Sequence, residues 1–456
     1  MTRCTAVALA ISAFVLATSP SFAAGDGANP NILKGPAAFG GWEDSKPGVW
    51  RQIAPGDLPK PFATESASNA PGLVDRAADV KPVGLPGFSV ELVKSGMQGP
   101  RVIRKAPNGD LFVADSVANE IYVLRMQDGE ARPVEDSVFA SDGLNQPYGI
   151  AFYPLTDPKW VYVGNADSIV RFPYKSGDLK TTGPAETIVA GIPSDYHWTR
   201  DIAFSADGTT LLLAVGSGSN VGEDVTGEPQ GGIGQWAKSR PLGEMWGGEE
   251  GRAAVIAFNP DGSNRRIYAT GIRNCSGLTI QPGTGEPWCA TNERDGLGDN
   301  VPTDYATHVQ EGGYYGWPWY YIGANEDPRA PLKGQRPDLA GKATVPDVLF
   351  QAHSAPLGIT FYDGNTFPAE YKGDAFVTLH GSWNRGKRTG YKVVRLKFEN
   401  GKPTGAYEDF LTGFVLSADN VWGRPVGVAV AHDGSLIVTE DGAGTIWRVS
   451  ATPRPS

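Results

Sequence analysis

The chain has 456 residues, and its 59 Gly and 36 Pro make about one residue in five a breaker of regular structure, against about one in eight in average usage. That load argues against a mostly helical protein, and the length would suit two or three domains or one long all-β domain. Fifty acidic against 40 basic residues give a formal charge of −10. This balance argues against a nucleic-acid or anionic-membrane surface as the main partner, so an anionic ligand must find a local cluster of cations.

The N-terminus reads as an export signal. Arg3 supplies the positive start, Ala6 to Leu16 an apolar run too short to span a bilayer, and Ser21-Phe22-Ala23 a small-residue cleavage site. Residues 1–23 are therefore expected to be removed, leaving a periplasmic or secreted protein with no later membrane span. Cys4 leaves with the signal. Cys275 and Cys289 remain as an even pair in an oxidising compartment, where a disulfide is the ordinary outcome. No C-x-x-C-H haem-attachment motif is present.

Residues 24–85 are rich in Gly, Pro, Ala and Asp without periodicity, and read as an extended, wrapping N-terminal arm. From residue 86 to 452 a unit recurs: an apolar alternation often starting at a Gly, an Asn-Gly or Asp-Gly turn, then a second alternating strand. Copies start at Arg101-Val102-Ile103, Tyr148-Gly149-Ile150, Asp201-Ile202-Ala203, Ser276-Gly277-Leu278, Leu357-Gly358-Ile359 and Val426-Gly427-Val428. Short alternating strands joined by such turns are antiparallel. Recurrence every roughly 45 to 80 residues predicts a six-bladed β-propeller of four-stranded antiparallel blades, with a jelly roll or sandwich as the alternative.

In a propeller the first strand of each blade lines the axis, so the segments before each copy gather around one mouth. Those segments carry His197 and Arg200, Arg273 and Asn274, His353, and Arg424. Each Arg could bridge its own blade and each His could cap a strand. Together they suit a bound polyanion, because buried guanidinium groups need anionic partners.

The chain from about 88 to 449 resembles the soluble pyrroloquinoline-quinone (PQQ)-dependent sugar dehydrogenases of the glucose/sorbosone group, which are six-bladed propellers. The resemblance is carried by His197 with Arg200-Asp201-Ile202-Ala203-Phe204, by Gly271-Ile272-Arg273-Asn274, and by Asn292-Glu293-Arg294-Asp295 leading into Gly312-Gly313-Tyr314-Tyr315-Gly316-Trp317-Pro318. His380-Gly381-Ser382-Trp383-Asn384-Arg385 is similar to the sorbosone dehydrogenase branch. The resemblance implies His197 as general base, Arg273 and Asn274 at the cofactor's C5 oxygen, and Arg424 on a cofactor carboxylate. It also implies Arg385 or Asn384 as a further cofactor contact, and Ca²⁺ held at Arg294 and Asp295. In glucose-specific relatives an Asp directly precedes the base; here that place is Tyr196, leaving open what orients His197.

The function expected is oxidation of an aldose or sorbosone-like sugar aldehyde by hydride transfer to PQQ. Electrons would leave to a separate acceptor, a soluble cytochrome c or a quinone. A calcium-dependent lactonase-type hydrolase and a non-catalytic carbohydrate-binding propeller are the alternatives. The aromatic run Tyr314 to Tyr321 is expected mostly in packing between blades.

Overall fold

The structure is a computed structural model, and it describes Met1 and residues 31–223, 225, 227–329 and 333–452. The expected signal segment therefore lies, apart from Met1, outside the described residues, as does the start of the arm. Among the described residues no helix is long and apolar enough to cross a membrane.

The chain is all-β. Four sheets follow in sequence, each a four-stranded antiparallel meander. The first runs through Pro100–Lys105, Leu111–Asp115, Glu120–Met126 and Pro133–Ala140, and the second through Gly149–Tyr153, Trp160–Gly164, Ser168–Pro173 and Glu186–Ala190. Ile202–Phe204, Leu211–Val215, Ala254–Phe258 and Arg266–Thr270 form the third, and Cys275–Ile280, Pro287–Thr291, Tyr305–His308 and Val348–Leu349 the fourth. A further four-stranded sheet near the C-terminus, Pro425–Val430, Leu436–Glu440 and Thr445–Ala451, takes its outer strand, Phe88–Lys94, from the start of the chain.

The expectation of six uniform blades is corrected here. Five blades have four strands, whereas Pro356–Phe361, Ala375–Leu379, Lys392–Glu399 and Lys402–Thr412 belong to a seven-stranded sheet. The excess comes from the arm. Its Trp50–Gln52 pairs antiparallel with Lys402–Thr412, Ile32–Leu33 adds in parallel, and Val83–Gly84 caps the far end. The union is anchored by charge: Arg51 donates to Asp409 at 2.8 Å, and Lys392 reaches the other carboxylate oxygen at 2.7 Å, all fully buried.

Second strands such as Leu211–Val215 and Leu436–Glu440 are buried at every position because both faces meet a neighbouring blade. Their apolar runs are therefore continuous, and the expected alternation of the second strand in each unit is corrected. Four inner strands carry a glycine at or near their start for a steric reason. A Cβ at Gly149, Gly277, Gly358 or Gly427 would run into the backbone of the next inner strand, at Arg200, Leu357, Val426 and Arg101 respectively. In the last two cases the glycine N–H bonds to Thr378 or Thr439 Oγ1, and the same hydroxyl donates to that next strand at 2.5 Å. Asp201 plays this linking part in the third blade, accepting from Leu278 N at 2.8 Å and from Arg104 at 2.7 Å.

The Cys275–Cys289 disulfide forms across the first two strands of the fourth blade, with Cα atoms 5.4 Å apart. Tyr314, Tyr315, Trp317, Trp319, Tyr320 and Tyr321 are all buried, in agreement with a packing role.

Candidate functional site

The segment before the third blade carries His197, and its Nδ1 lies 2.9 Å from the Ser217 carbonyl. A carbonyl only accepts, so Nδ1 bears the proton and Nε2 keeps its lone pair. Burial lowers the His197 pKa well below its ordinary value, and the Arg273 charge lowers it further. The imidazole is thus neutral at pH 7, with the tautomer a proton acceptor needs.

The orienting partner that sequence left open is the Ser217 carbonyl, not the nearby Asp. Asp195 is engaged by Arg252, which donates to its Oδ1 at 2.7 Å and to its carbonyl at 2.6 Å. Arg252 also donates to the Gly216 and Ser217 carbonyls at 3.1 Å each. Glu249 braces the loop from below, accepting from Gly218 N at 2.8 Å and Ser219 Oγ at 2.5 Å. Gly216 is required by close approach: a Cβ there would overlap both His197 Cβ and Asn274 Oδ1. That absence of a side chain lets both residues pack against Gly216.

Arg273 and Asn274 follow at the entry to the fourth blade. The Arg273 guanidinium donates to the Asn220 and Glu293 carbonyls at 3.1 and 2.9 Å, to Asn220 Oδ1 at 3.0 Å and to Tyr196 Oη at 3.4 Å. The Asp295 carboxylate stands 3.8 Å away and bridges to His353 Nδ1 at 3.2 Å. Burial lowers the His353 pKa, yet the Asp295 bond and charge outweigh it and the net shift is upward. Its other nitrogen, Nε2, lies 2.9 Å from the Gly298 carbonyl, so both ring nitrogens of His353 are engaged. Asn274 Oδ1 is buried with no partner among the described residues.

Arg424 lies in a second group. It donates to Asp441 at 2.9 Å, as Arg101 does at 2.5 Å, and His380 Nε2 is 3.0 Å from the same carboxylate. Burial raises the Asp441 pKa, but His380 and the two arginines outweigh it and hold the carboxyl well below its usual range. One carboxylate thus serves two guanidiniums, and Arg101 Nε is buried without a partner among the described residues. The Arg101 guanidinium lies 5.4 Å from the ring of Trp198, the residue after His197, which joins the two groups.

The other predicted residues are placed differently. Arg385 is buried beneath the arm, donating to the Phe39 and Gly40 carbonyls, and burial pulls its pKa down to about 10. Asn384 spends its amide as a clamp, accepting from Gly296 N at 2.9 Å and donating to the Ala67 carbonyl at 2.6 Å. Both residues thus touch the arm, and Arg385 keeps Nε and Nη1 buried without a partner among the described residues. Arg294 is fully buried and bonded to Glu293, Asp327 and the Pro318 and Tyr320 carbonyls.

The Asp295 carbonyl does not offer Ca²⁺ an open ligand. That ion needs open oxygen ligands, whereas the Asp295 carbonyl already accepts from Asn220 Nδ2 at 3.1 Å and from the cationic Arg329 at 2.8 Å. The Arg101–Arg424–His380 group does fit an anionic cofactor, because its positive charge exceeds that of Asp441 and one N–H is orphaned.

The segments before the first strands do not contain Ser217, Asn220 or Asp441, and Arg101, which opens the first copy, carried no assigned role. A usable signal existed for most of them. The second strand runs antiparallel to the first, so residues just after it return to the same mouth: Gly216 to Asn220 follow Leu211–Val215, and Asp441 follows Leu436–Glu440.

A propeller whose mouth gathers a neutral histidine, a polar amide and surplus guanidinium groups defines a binder of a polar, anion-bearing ligand. Comparison with known proteins narrows the class. The TrAA12-like family matches residues 82–311 and 337–452. An uncharacterized protein of Borreliella burgdorferi is 28% identical over 380 residues, covering 80% of this chain and 89% of its own. A PQQ-dependent pyranose dehydrogenase of Coprinopsis cinerea is 24% identical over 431 residues, covering 81% of this chain; the chain spans 54% of that relative's length. The holo PQQ domain of the Coprinopsis cinerea pyranose dehydrogenase superposes with TM-score 0.66 at 22% identity, covering 84% of this chain and 99% of the domain. The calcium structure of the Trichoderma reesei family AA12 enzyme gives 0.65 at 21%, covering 83% and 98%. The chain belongs to the TrAA12-like family of PQQ-dependent sugar dehydrogenases.

Proposed function

We propose that the chain oxidises an aldose or a sorbosone-like sugar aldehyde at C1, with PQQ as cofactor and His197 as the base. The observation that carries this is the His197 tautomer: Nδ1–H is fixed on the Ser217 carbonyl, leaving Nε2 unprotonated on a ring that feels the Arg273 charge. Oxidation of a sugar hemiacetal or an aldehyde hydrate removes a hydride from C1 and a proton from its hydroxyl. PQQ, when bound, supplies the two-electron acceptor.

His197 Nε2 takes the hydroxyl proton. Arg273 places positive charge where negative charge develops, and its bonds to Asn220 and Glu293 hold it still. Arg101, Arg424 and His380 would hold a cofactor carboxylate in company with Asp441. In the Trichoderma reesei relative's structure the ion is calcium; in this chain Arg294 and Asp295 are committed elsewhere, and the reading assigns them no metal.

The reading extends to an exported protein with residues 1–23 removed, an arm over 24–85, a catalytic domain over 86–452, and a separate electron acceptor. The test is titration of the purified protein with PQQ, with Ca²⁺ and then with chelator, followed by a panel of aldoses and sorbosone with an artificial acceptor. Expected are saturable quinone binding and its reduction on adding sugar. Absence of quinone binding under both conditions overturns the reading.

A further inference from the structure

Tyr196 stands where the mouth opens and belongs to none of the roles above. Its backbone has φ +65°, a conformation that L side chains with a bulky ring rarely adopt. Its neighbours leave it no choice, because Arg252 grips both oxygen types of Asp195 and the Ser217 carbonyl holds His197. Pinned on both sides, the ring is turned outward and is 54% exposed. It is nevertheless part of the site: its centroid lies 4.6 Å from that of His197 with the planes at 82°, and its hydroxyl accepts from Arg273. A strained, exposed aromatic beside a base is an arrangement that folding alone gives no reason to keep.

We propose that Tyr196 is the stacking platform for the ring of a closed sugar, making the site selective for cyclic hemiacetals over open-chain aldehyde hydrates. The inference rests on the reading of the site as sugar-oxidising. A pyranose presents an apolar C–H face that packs on an aromatic face, while its anomeric hydroxyl remains free for a base at its edge. A short hydrated aldehyde has no such face and gains nothing from the platform. The hydroxyl contact with Arg273 fixes the ring without being needed for stacking.

Three variants and two kinds of probe test this. Cyclic 1,5-anhydro sugars of gluco, galacto and manno configuration have no anomeric hydroxyl, so they report binding without turnover. Titrated calorimetrically into the PQQ-loaded protein, at least one is expected to bind the parent, to bind Tyr196→Phe within about threefold, and to bind Tyr196→Gly and Tyr196→Ala at least tenfold more weakly. In turnover, Tyr196→Gly should raise KM for D-glucose or its epimers at least tenfold with kcat within threefold, and leave KM for D-glyceraldehyde within twofold. Melting of the unliganded Tyr196→Gly protein should occur at or above the parent's temperature, since glycine relieves the strain. Equal binding of the anhydro sugars by parent and Tyr196→Gly, or no binding by the parent, overturns the platform. So does an equal rise in KM for glucose and glyceraldehyde. A parent that binds an anhydro sugar but reduces no quinone would instead sink the dehydrogenase reading while the platform stands.

Discussion

Two sets of arginines look alike in sequence and end in opposite states. Arg294 and Arg395 are sealed in the protein, one among Glu293, Asp327 and backbone carbonyls and the other among Asp374, Glu408 and the Glu370 carbonyl, whereas Arg101 and Arg424 share one carboxylate at the mouth. Arg294 has more than enough partners, and Arg101 has an N–H with none among the described residues. The difference teaches that a guanidinium marks a ligand site by what it lacks rather than by being present. A fully bonded buried cation belongs to the fold, and a cation in surplus over its anions is available to a ligand.

The largest effect should come from the sealed set. Arg294→Leu leaves Glu293 and Asp327 buried, a loss of the order of 3–5 kcal/mol for one partner of a buried pair, read as a drop in denaturation midpoint. If stability is unchanged, the contrast between the two sets collapses. Reduction of the Cys275–Cys289 bridge is next, at roughly 3 kcal/mol for a loop of this length in the chain-entropy view, measured by melting with and without reductant.

At the mouth the losses should be functional instead. His197→Ala should melt with the parent, bind PQQ, and lose roughly 10²-fold or more in turnover; turnover near that of the parent would remove histidine 197 as the base. Arg424→Ala, about one-third exposed before substitution, should weaken PQQ binding by about tenfold, or about 1.4 kcal/mol, without the stability loss of Arg294→Leu. A melting loss as large as that of Arg294→Leu would place Arg424 in the fold.

The mildest test is pH. Burial and the Arg273 charge disfavour protonated His197, so the rate should stay flat through the ordinary histidine range near 6.5 and fall only in more acid solution. Arg273→Met removes one of those causes. The acid limb should then move to higher pH, and a limb that stays put would show that Arg273 does not act on the histidine.

Turn pairs such as Asn108-Gly109, the positions of the strands, the glycine of most inner strands, the cysteine pair and the three segments holding His197, Arg273 and Arg424 were all legible in the linear chain. Each depends on neighbours a few residues away or on a repeat that the chain itself displays. The number of four-stranded blades was not legible, because the arm joins a sheet through Arg51 and Asp409, which are 358 residues apart. Nor were the fates of Asn384 and Arg385, whose partners Ala67 and Phe39 lie more than 300 residues away. The orienting of His197 by a backbone carbonyl leaves no trace in residue identity, since every residue has that oxygen. Short-range sterics and periodicity write strands and turns into a sequence; which polar group is left without a partner is decided only when distant segments close on one another and exclude water.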